Sequence, residues 1–155
     1  MDEGMYDPVE GGWIDYEIGE TYFKMKQFDK ALEYYNLALA AGADDPWIYY
    51  KKGIVQLING KISEGMEELK RAIDETRSAL VAGNKNPMLS FNLGLFHLAI
   101  GDEPVARNYY ADGLRVEPST PKIKEARRDL ENFLEVWPKE NCGHSILAML
   151  KERSG

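Results

Sequence analysis

The chain has 155 residues, of which 44% are apolar and 29% are charged, a composition typical of one soluble domain. Its net charge is −7, and residues 1–20 carry seven acidic side chains and no basic one. This acidic balance argues against nucleic-acid binding, and the lack of any run of about 18 apolar residues argues against membrane insertion. The lone Cys142 cannot form a disulfide within the chain, and we expect a cytoplasmic protein.

Prolines and glycines divide the chain into eight predicted helices. A residue that can cap a helix precedes proline at Asp45-Pro46, Asn86-Pro87 and Thr120-Pro121. Glycines suited to helix ends stand at Gly42, Gly60, Gly83 and Gly101. The predicted helices span residues 12–26, 28–41, 46–59, 62–82, 87–100, 103–117, 121–136 and 144–152. No segment alternates apolar and polar residues as a strand would, so the sequence predicts an all-α fold.

The first six predicted helices form three pairs that repeat one another. Gly19 and Gly53 lie 34 residues apart, and Gly53 and Gly94 lie 41 apart, which is one period plus seven. Small and bulky residues recur at the same spacings in three series: Ala31, Gly65 and Ala106; Tyr35, Leu69 and Tyr110; Ala38, Ala72 and Gly113. Such a repeat indicates a helical hairpin copied in tandem, whose small residues let its two helices approach closely. The seven extra residues predict two added turns on the fourth helix, because seven residues preserve the buried face.

These residues give the chain a resemblance to the tetratricopeptide repeat family, whose unit is about 34 residues long. The matching residues of the first copy are Ile18, Gly19, Tyr22, Ala31, Tyr35, Ala38 and Pro46. Those of the third copy are Leu93, Gly94, Ala106, Tyr110, Gly113 and Pro118. The chain departs from the family pattern where Asp15 and Ser90 replace its Trp, and where Gln56 and His97 replace its Tyr.

The resemblance implies a right-handed α-solenoid of three helical hairpins followed by a C-terminal capping helix. The hairpins are expected at residues 12–45, 46–86, which include the seven-residue insertion, and 87–118. Residues 1–11 are expected to form an acidic tail, and residues 119–155 are expected to form the capping helices. A helix with an apolar stripe and a polar outer side, as at 121–136, is what the end of a repeat stack needs.

The first helix of each hairpin is expected to line a concave groove. One stripe on these helices, taken at fixed offsets from the repeat glycine, is apolar and aromatic, as binding surfaces often are. Its members are Trp13, Tyr16, Glu20, Phe23, Trp47, Tyr50, Ile54, Leu57, Met88, Phe91 and Leu95. The alternative is that some of these side chains pack on adjacent helices, or that the C-terminal helix folds back into the groove.

Residues suited to catalysis or metal binding are sparse. His97 replaces a repeat Tyr between packed helices, so we expect it to be buried or half-buried. Cys142 and His144 lack the further ligands of a structural zinc site, and no third group is in place to orient them as a nucleophilic pair. We therefore expect no catalytic residue, no metal and no cofactor. The basic run at 122–128 is short, and we expect a solvated helix face rather than a nucleic-acid site.

The sequence therefore favours a non-enzymatic adapter that takes an apolar or basic-amphipathic segment of another protein in its groove. A structural scaffold is the first alternative, in which acidic residues 1–20 of one chain meet basic residues 122–128 of the next, head to tail. A small secretion-type chaperone is the second, since such proteins are acidic, cytosolic and built from three repeats.

Overall fold

The computed structural model describes residues 7–137 and 141–155. These residues form eight helices and no strand, which confirms the predicted all-α class. The helices are α1 (Pro8–Lys24), α2 (Phe28–Ala40), α3 (Pro46–Ile58), α4 (Ile62–Val81), α5 (Pro87–Ala99), α6 (Glu103–Arg115), α7 (Thr120–Val136) and α8 (Gly143–Ser154). Antiparallel hairpins of this kind are the units of α-solenoids. No helix of the described residues combines the length and apolarity needed to cross a bilayer.

Side-chain caps decide where several helices begin. Asp45 accepts a hydrogen bond of 2.8 Å from the backbone N–H of Trp47, and Asn86 accepts one of 3.1 Å from Met88. Asp7 likewise accepts a hydrogen bond of 3.0 Å from the backbone N–H of Val9. Because of this cap, α1 begins at Pro8, four residues before the predicted start. Residues 8–11 of the expected acidic tail are therefore helical, and residues 1–6 lie outside the described residues. At α7 the capping position is Ser119 rather than Thr120, and its side chain makes no capping hydrogen bond.

The glycines predicted at helix ends are confirmed. Left-handed backbone conformations, with φ between 80° and 98°, occur at Gly42, Gly60, Gly83 and Gly101. Residues that carry a Cβ rarely adopt this conformation. The predicted insertion is confirmed as well, since α4 has 20 residues whereas α2 and α6 have 13 each.

The chain divides into two compact units, one up to Ala72 and one from Ile73 onward, and α4 contributes to both. In the first unit, α1 packs against α2, and α2 packs against α3. Gly19 permits the close approach of α1 and α2, because a Cβ there would lie 2.8 Å from the ring of Tyr35. Gly53 does the same for α3 and α4, since its Cβ would lie 3.0 Å from the carbonyl oxygen of Gly65.

In the second unit, α5 packs against α6 and α7, and α7 packs against α8. The ring of Tyr110 fills the space left by Gly94, where a Cβ would lie 2.5 Å from it. The predicted apolar stripe of α7 is buried and includes Ile123, Ala126, Leu130, Phe133 and Leu134. The predicted small residues thus do in both units what their spacing indicated: they bring paired helices close together.

Candidate functional site

The eleven residues predicted to line a groove differ widely in burial. Six of them are buried: Phe23, Tyr50, Ile54, Leu57, Phe91 and Leu95. Trp13 is 39% exposed, and Tyr16, Glu20, Trp47 and Met88 are half-buried. A buried side chain cannot touch a ligand without rearrangement of its neighbours. Direct ligand contacts are therefore open to only five of the eleven residues.

Two of the buried residues pack on the second helix of their own hairpin. The ring of Phe91 lies against Gly113, where a Cβ would come within 2.5 Å of it, and its centroid is 6.0 Å from that of Tyr110. Leu57 lies against Gly65 in the same way, because a Cβ added to Gly65 would lie 2.9 Å from the side chain of Leu57. For these residues the expected alternative, packing on an adjacent helix, describes the structure.

Aromatic rings are in contact across the first unit. Trp13 and Tyr16 on α1 meet edge to face, with centroids 6.0 Å apart, and Tyr16 is 6.0 Å from Tyr35 on α2. On α3, Trp47 and Tyr50 are 5.0 Å apart. Tyr35 and Tyr50 are buried, whereas the other three rings remain accessible. We name the three accessible rings, Trp13, Tyr16 and Trp47, the aromatic patch.

The carboxylate of Glu20, on the same helix as Trp13 and Tyr16, is held by Tyr35 and Lys51. The hydroxyl of Tyr35 donates to its Oε1 at 2.5 Å, and Lys51 Nζ lies 3.7 Å from its Oε2. Lys51 also lies over the ring of Phe23, 3.9 Å from its centroid. Burial, followed by the charge of Glu20, raises the pKa of Tyr35 well above its usual range, so its phenol stays a neutral donor.

Several carboxylates act on Tyr16. Burial raises the pKa of its hydroxyl far above the usual range, and the charges of Glu20, Asp45 and Glu17 raise it further. Asp45 is the residue that caps α3, so the beginning of α3 is electrostatically coupled to Tyr16. Acidic groups of two helices, α1 and the beginning of α3, therefore act on Tyr16.

His97 lies where the sequence predicted, inside the hairpin of α5 and α6. It is buried, and its ring stacks on that of Tyr109 with centroids 5.4 Å apart. Burial lowers the pKa of His97, and the charge of Arg77 lowers it further. The carboxylate of Asp102, whose Oδ2 lies 3.8 Å from Nδ1 of His97, opposes this shift. His97 is thus a packed residue of the hairpin.

Cys142 precedes α8 and is half-buried. Its backbone N–H donates to Glu103 Oε1 at 2.6 Å, and burial raises the pKa of its thiol. A thiol that stays protonated is a poor nucleophile. Across residues 7–137 and 141–155, no three His, Cys, Asp or Glu side chains converge as a metal site requires.

Comparison with known proteins places the first hairpin in a family. Residues 16–41 match the family model described as tetratricopeptide repeat. No curated protein matches the sequence. Similar solved structures include that of MamA, at 16% identity over 95% of this chain and 78% of that chain, with a TM-score of 0.48. The complex of the TPR2AB domain of yeast Sti1 with pHSP90 is similar at 14% identity over 93% and 71%, with a TM-score of 0.45. YrrB, a TPR protein with an unusual peptide-binding site, is similar at 17% identity over 90% and 77%, with a TM-score of 0.44.

The matched segment begins at Tyr16 in α1 and ends at Ala41, which follows α2. It contains Gly19, Ala31 and Tyr35, the residues that hold the two helices together. The hairpin of α1 and α2 is therefore the part of the chain that matches a tetratricopeptide repeat.

Proposed function

We propose that the chain is a non-enzymatic adapter that binds an apolar or amphipathic segment of another protein. Repeat proteins built from helical hairpins typically hold partners on an extended surface rather than transform substrates. The lone Cys142 fits a reducing compartment, and we propose a cytoplasmic location.

The aromatic patch is the observation that carries this proposal. Trp13 is 39% exposed, although a large ring of this kind gains free energy by leaving water. Tyr and Trp residues that keep an accessible face are the side chains that most often anchor protein interfaces. The patch is also preorganised, because Tyr16 rests on the buried ring of Tyr35 and Trp47 rests on that of Tyr50.

The charges around the patch favour one class of partner. Glu20, Asp45 and Glu17 all act on Tyr16, whereas Lys51 is already engaged by Glu20 at 3.7 Å. An acidic segment or a free carboxylate would be repelled here, and a segment with a basic end would be attracted. We therefore propose a basic-amphipathic ligand.

We further propose that residues 46–86 and 87–118 are two more repeats of the same family. The support is that the same positions are in contact in each copy. Gly19 contacts Ala31 and Tyr35 in the first copy, and Gly53 contacts Gly65 and Leu69 in the second. In the second unit, Gly94 contacts Ala106 and Tyr110 in the same manner.

Capture of partners with a pair of surface variants tests the adapter function. Trp13→Ala and Trp47→Ala remove accessible rings, and Met25→Ala removes an exposed apolar side chain outside the patch. Proteins retained by the wild-type chain are identified by mass spectrometry, and the affinity of the purified partner segment is then measured. We expect the two Trp variants to lose at least about tenfold in affinity, as interface anchors do, and Met25→Ala to keep it. A folded Trp13→Ala, Trp47→Ala double variant with wild-type affinity would remove the patch from the function.

Self-assembly is a second candidate, and a different surface favours it. Ile14 and Ile48 lie 34 residues apart and so occupy the same position on α1 and α3. Ile48 is fully buried, whereas Ile14 is 57% exposed. The neighbouring helix α2 packs against α3. A second copy of the chain is proposed to cover this face.

Sedimentation velocity over a range of protein concentrations tests the second candidate. Self-association of the wild-type chain should be abolished by Ile14→Glu and retained in Ile62→Glu, whose parent residue is 52% exposed at the start of α4. A wild-type chain that stays monomeric at every concentration contradicts self-assembly.

A further inference from the structure

Three residues lie along one side of α1 at the spacing of successive helical turns. They are Trp13, Glu17 and Glu20. Residues three or four positions apart on a helix have neighbouring side chains, with Cβ atoms roughly 5–6 Å apart. Trp13 and Glu17 are therefore neighbours on the surface of α1, and Glu20 lies one turn further on.

The two carboxylates differ in what surrounds them. Glu20 is half-buried and held by Tyr35 and Lys51. Glu17 is exposed, and its carboxylate makes no hydrogen bond or ion pair with any residue that the structure describes. A ligand group can therefore pair with Glu17 without breaking an existing contact.

Acidic groups also act on Tyr16, the neighbour of Trp13. The hydroxyl of Tyr16, whose ring contacts Trp13, has a pKa raised by burial and then by Glu20, Asp45 and Glu17. Asp45 belongs to the beginning of α3, so the acidic groups that act here come from two helices. These carboxylates would attract a positive charge placed over Trp13 and would repel a negative one.

We infer that Trp13 and Glu17 form a subsite for one arginine or lysine side chain of the partner segment, an inference that rests on the proposed adapter function. The cation lies over the face of the Trp13 ring, which attracts positive charge, and pairs with the carboxylate of Glu17. Arginine fits this arrangement better than lysine, because its planar guanidinium stacks on a ring and donates two hydrogen bonds to one carboxylate. The subsite would fix where the basic end of the partner lies along α1.

Three synthetic peptides test the subsite. Each is the same amphipathic helix of Leu, Ala and Gln, and they differ only at one position near the end of the apolar face. That position holds arginine, citrulline, which has nearly the same shape without the charge, or glutamate. Affinities for the full chain are measured by calorimetry. We expect the arginine peptide to bind about tenfold more tightly than the citrulline peptide, the size expected of a cation–π contact with a partly exposed ion pair. We expect the glutamate peptide to bind most weakly.

A matched pair of charge reversals completes the test. Glu17→Lys should reverse the preference, so that the glutamate peptide binds more tightly than the arginine peptide. Glu33→Lys makes the same change of net charge on the exposed side of α2 and should leave the preference intact. Equal affinities for the arginine and citrulline peptides, or equal effects of the two reversals, would overturn the subsite and leave the adapter function standing.

Discussion

The hydroxyl of Tyr35 on α2 donates a hydrogen bond of 2.5 Å to the carboxylate of Glu20 on α1. Tyr35 is fully buried, and its ring also contacts that of Tyr16, which contacts Trp13. The same contact thus joins the two helices of the first repeat and holds a carboxylate that acts on Tyr16 of the aromatic patch.

Tyr35→Phe should lower the stability of the fold. The change removes the donor and leaves a half-buried carboxylate with one hydrogen bond fewer, which costs about 1.5–3 kcal/mol for a charged acceptor. Urea unfolding followed by circular dichroism measures the loss. Tyr34→Phe is the control, because Tyr34 is half-buried and stacks on Tyr22 with centroids 5.5 Å apart. Equal losses in the two variants would mean that the hydroxyl of Tyr35 contributes nothing specific.

Asp45→Ala should destabilise α3. It removes the acceptor of the 2.8 Å hydrogen bond from Trp47 N–H, and loss of such a cap costs about 0.5–2 kcal/mol. Asp44→Ala, a change of the same charge at the exposed neighbour, should cost less. The free energies of unfolding of the two variants decide the matter, and a larger loss in Asp44→Ala would contradict the capping role.

Gly94→Ala should destabilise the second unit, although alanine is the better helix former by about 1 kcal/mol. The new Cβ would lie 2.5 Å from the ring of Tyr110, which is buried and has no room to withdraw. Overpacking of this kind costs about 1–3 kcal/mol or more, so the net effect should be a loss. Thermal unfolding of Gly94→Ala and of the exposed control Ser78→Ala provides the measurement. A rise in the melting temperature of Gly94→Ala would show that the helices can separate without cost.

Acidification should weaken the fold through His97. Burial lowers its pKa in the folded chain below that of the unfolded chain, so the unfolded chain binds more protons. The stability due to neutral His97 is therefore complete above the ordinary histidine pKa of about 6.5 and declines as the pH falls below it. Arg77 adds to this effect, and Asp102 opposes it.

Urea midpoints at pH 7.5 and pH 5.5 measure the contribution of His97. We expect His97→Phe to lose less stability between the two values than the wild-type chain does. His144→Gln is the control, because His144 is exposed and is the other histidine of the sequence. A pH dependence that His97→Phe leaves unchanged would assign the effect to other groups.

The helices could be predicted because their signals are local. Proline after a capping residue and glycine at a left-handed position decide where a helix begins and ends, whatever packs against it. The early start of α1 has the same signal, Asp7-Pro8, but the signal lies within the acidic segment 1–11, whose composition is also that of a tail. The length of α4 followed from the repeat spacing alone.

The accessible part of the site could not be predicted in the same way, because burial depends on residues distant in sequence. Phe91 is buried because Gly113, 22 positions later, leaves space for its ring. Spacing also gave no indication of the bond between Tyr35 and Glu20, since Leu69 holds the position of Tyr35 in the second copy and has no hydroxyl. Repeat positions predict packing, whereas the chemistry of the surface depends on what each copy places there.

The indole N–H signals of the three tryptophans in an NMR spectrum test the central proposal most directly. Trp13 and Trp47 belong to the aromatic patch, and Trp137 follows α7 in the second unit. When the purified partner segment is added, the signals of Trp13 and Trp47 should shift and that of Trp137 should stay in place. A partner that binds while both patch signals remain unchanged would contradict the proposal that this surface receives it.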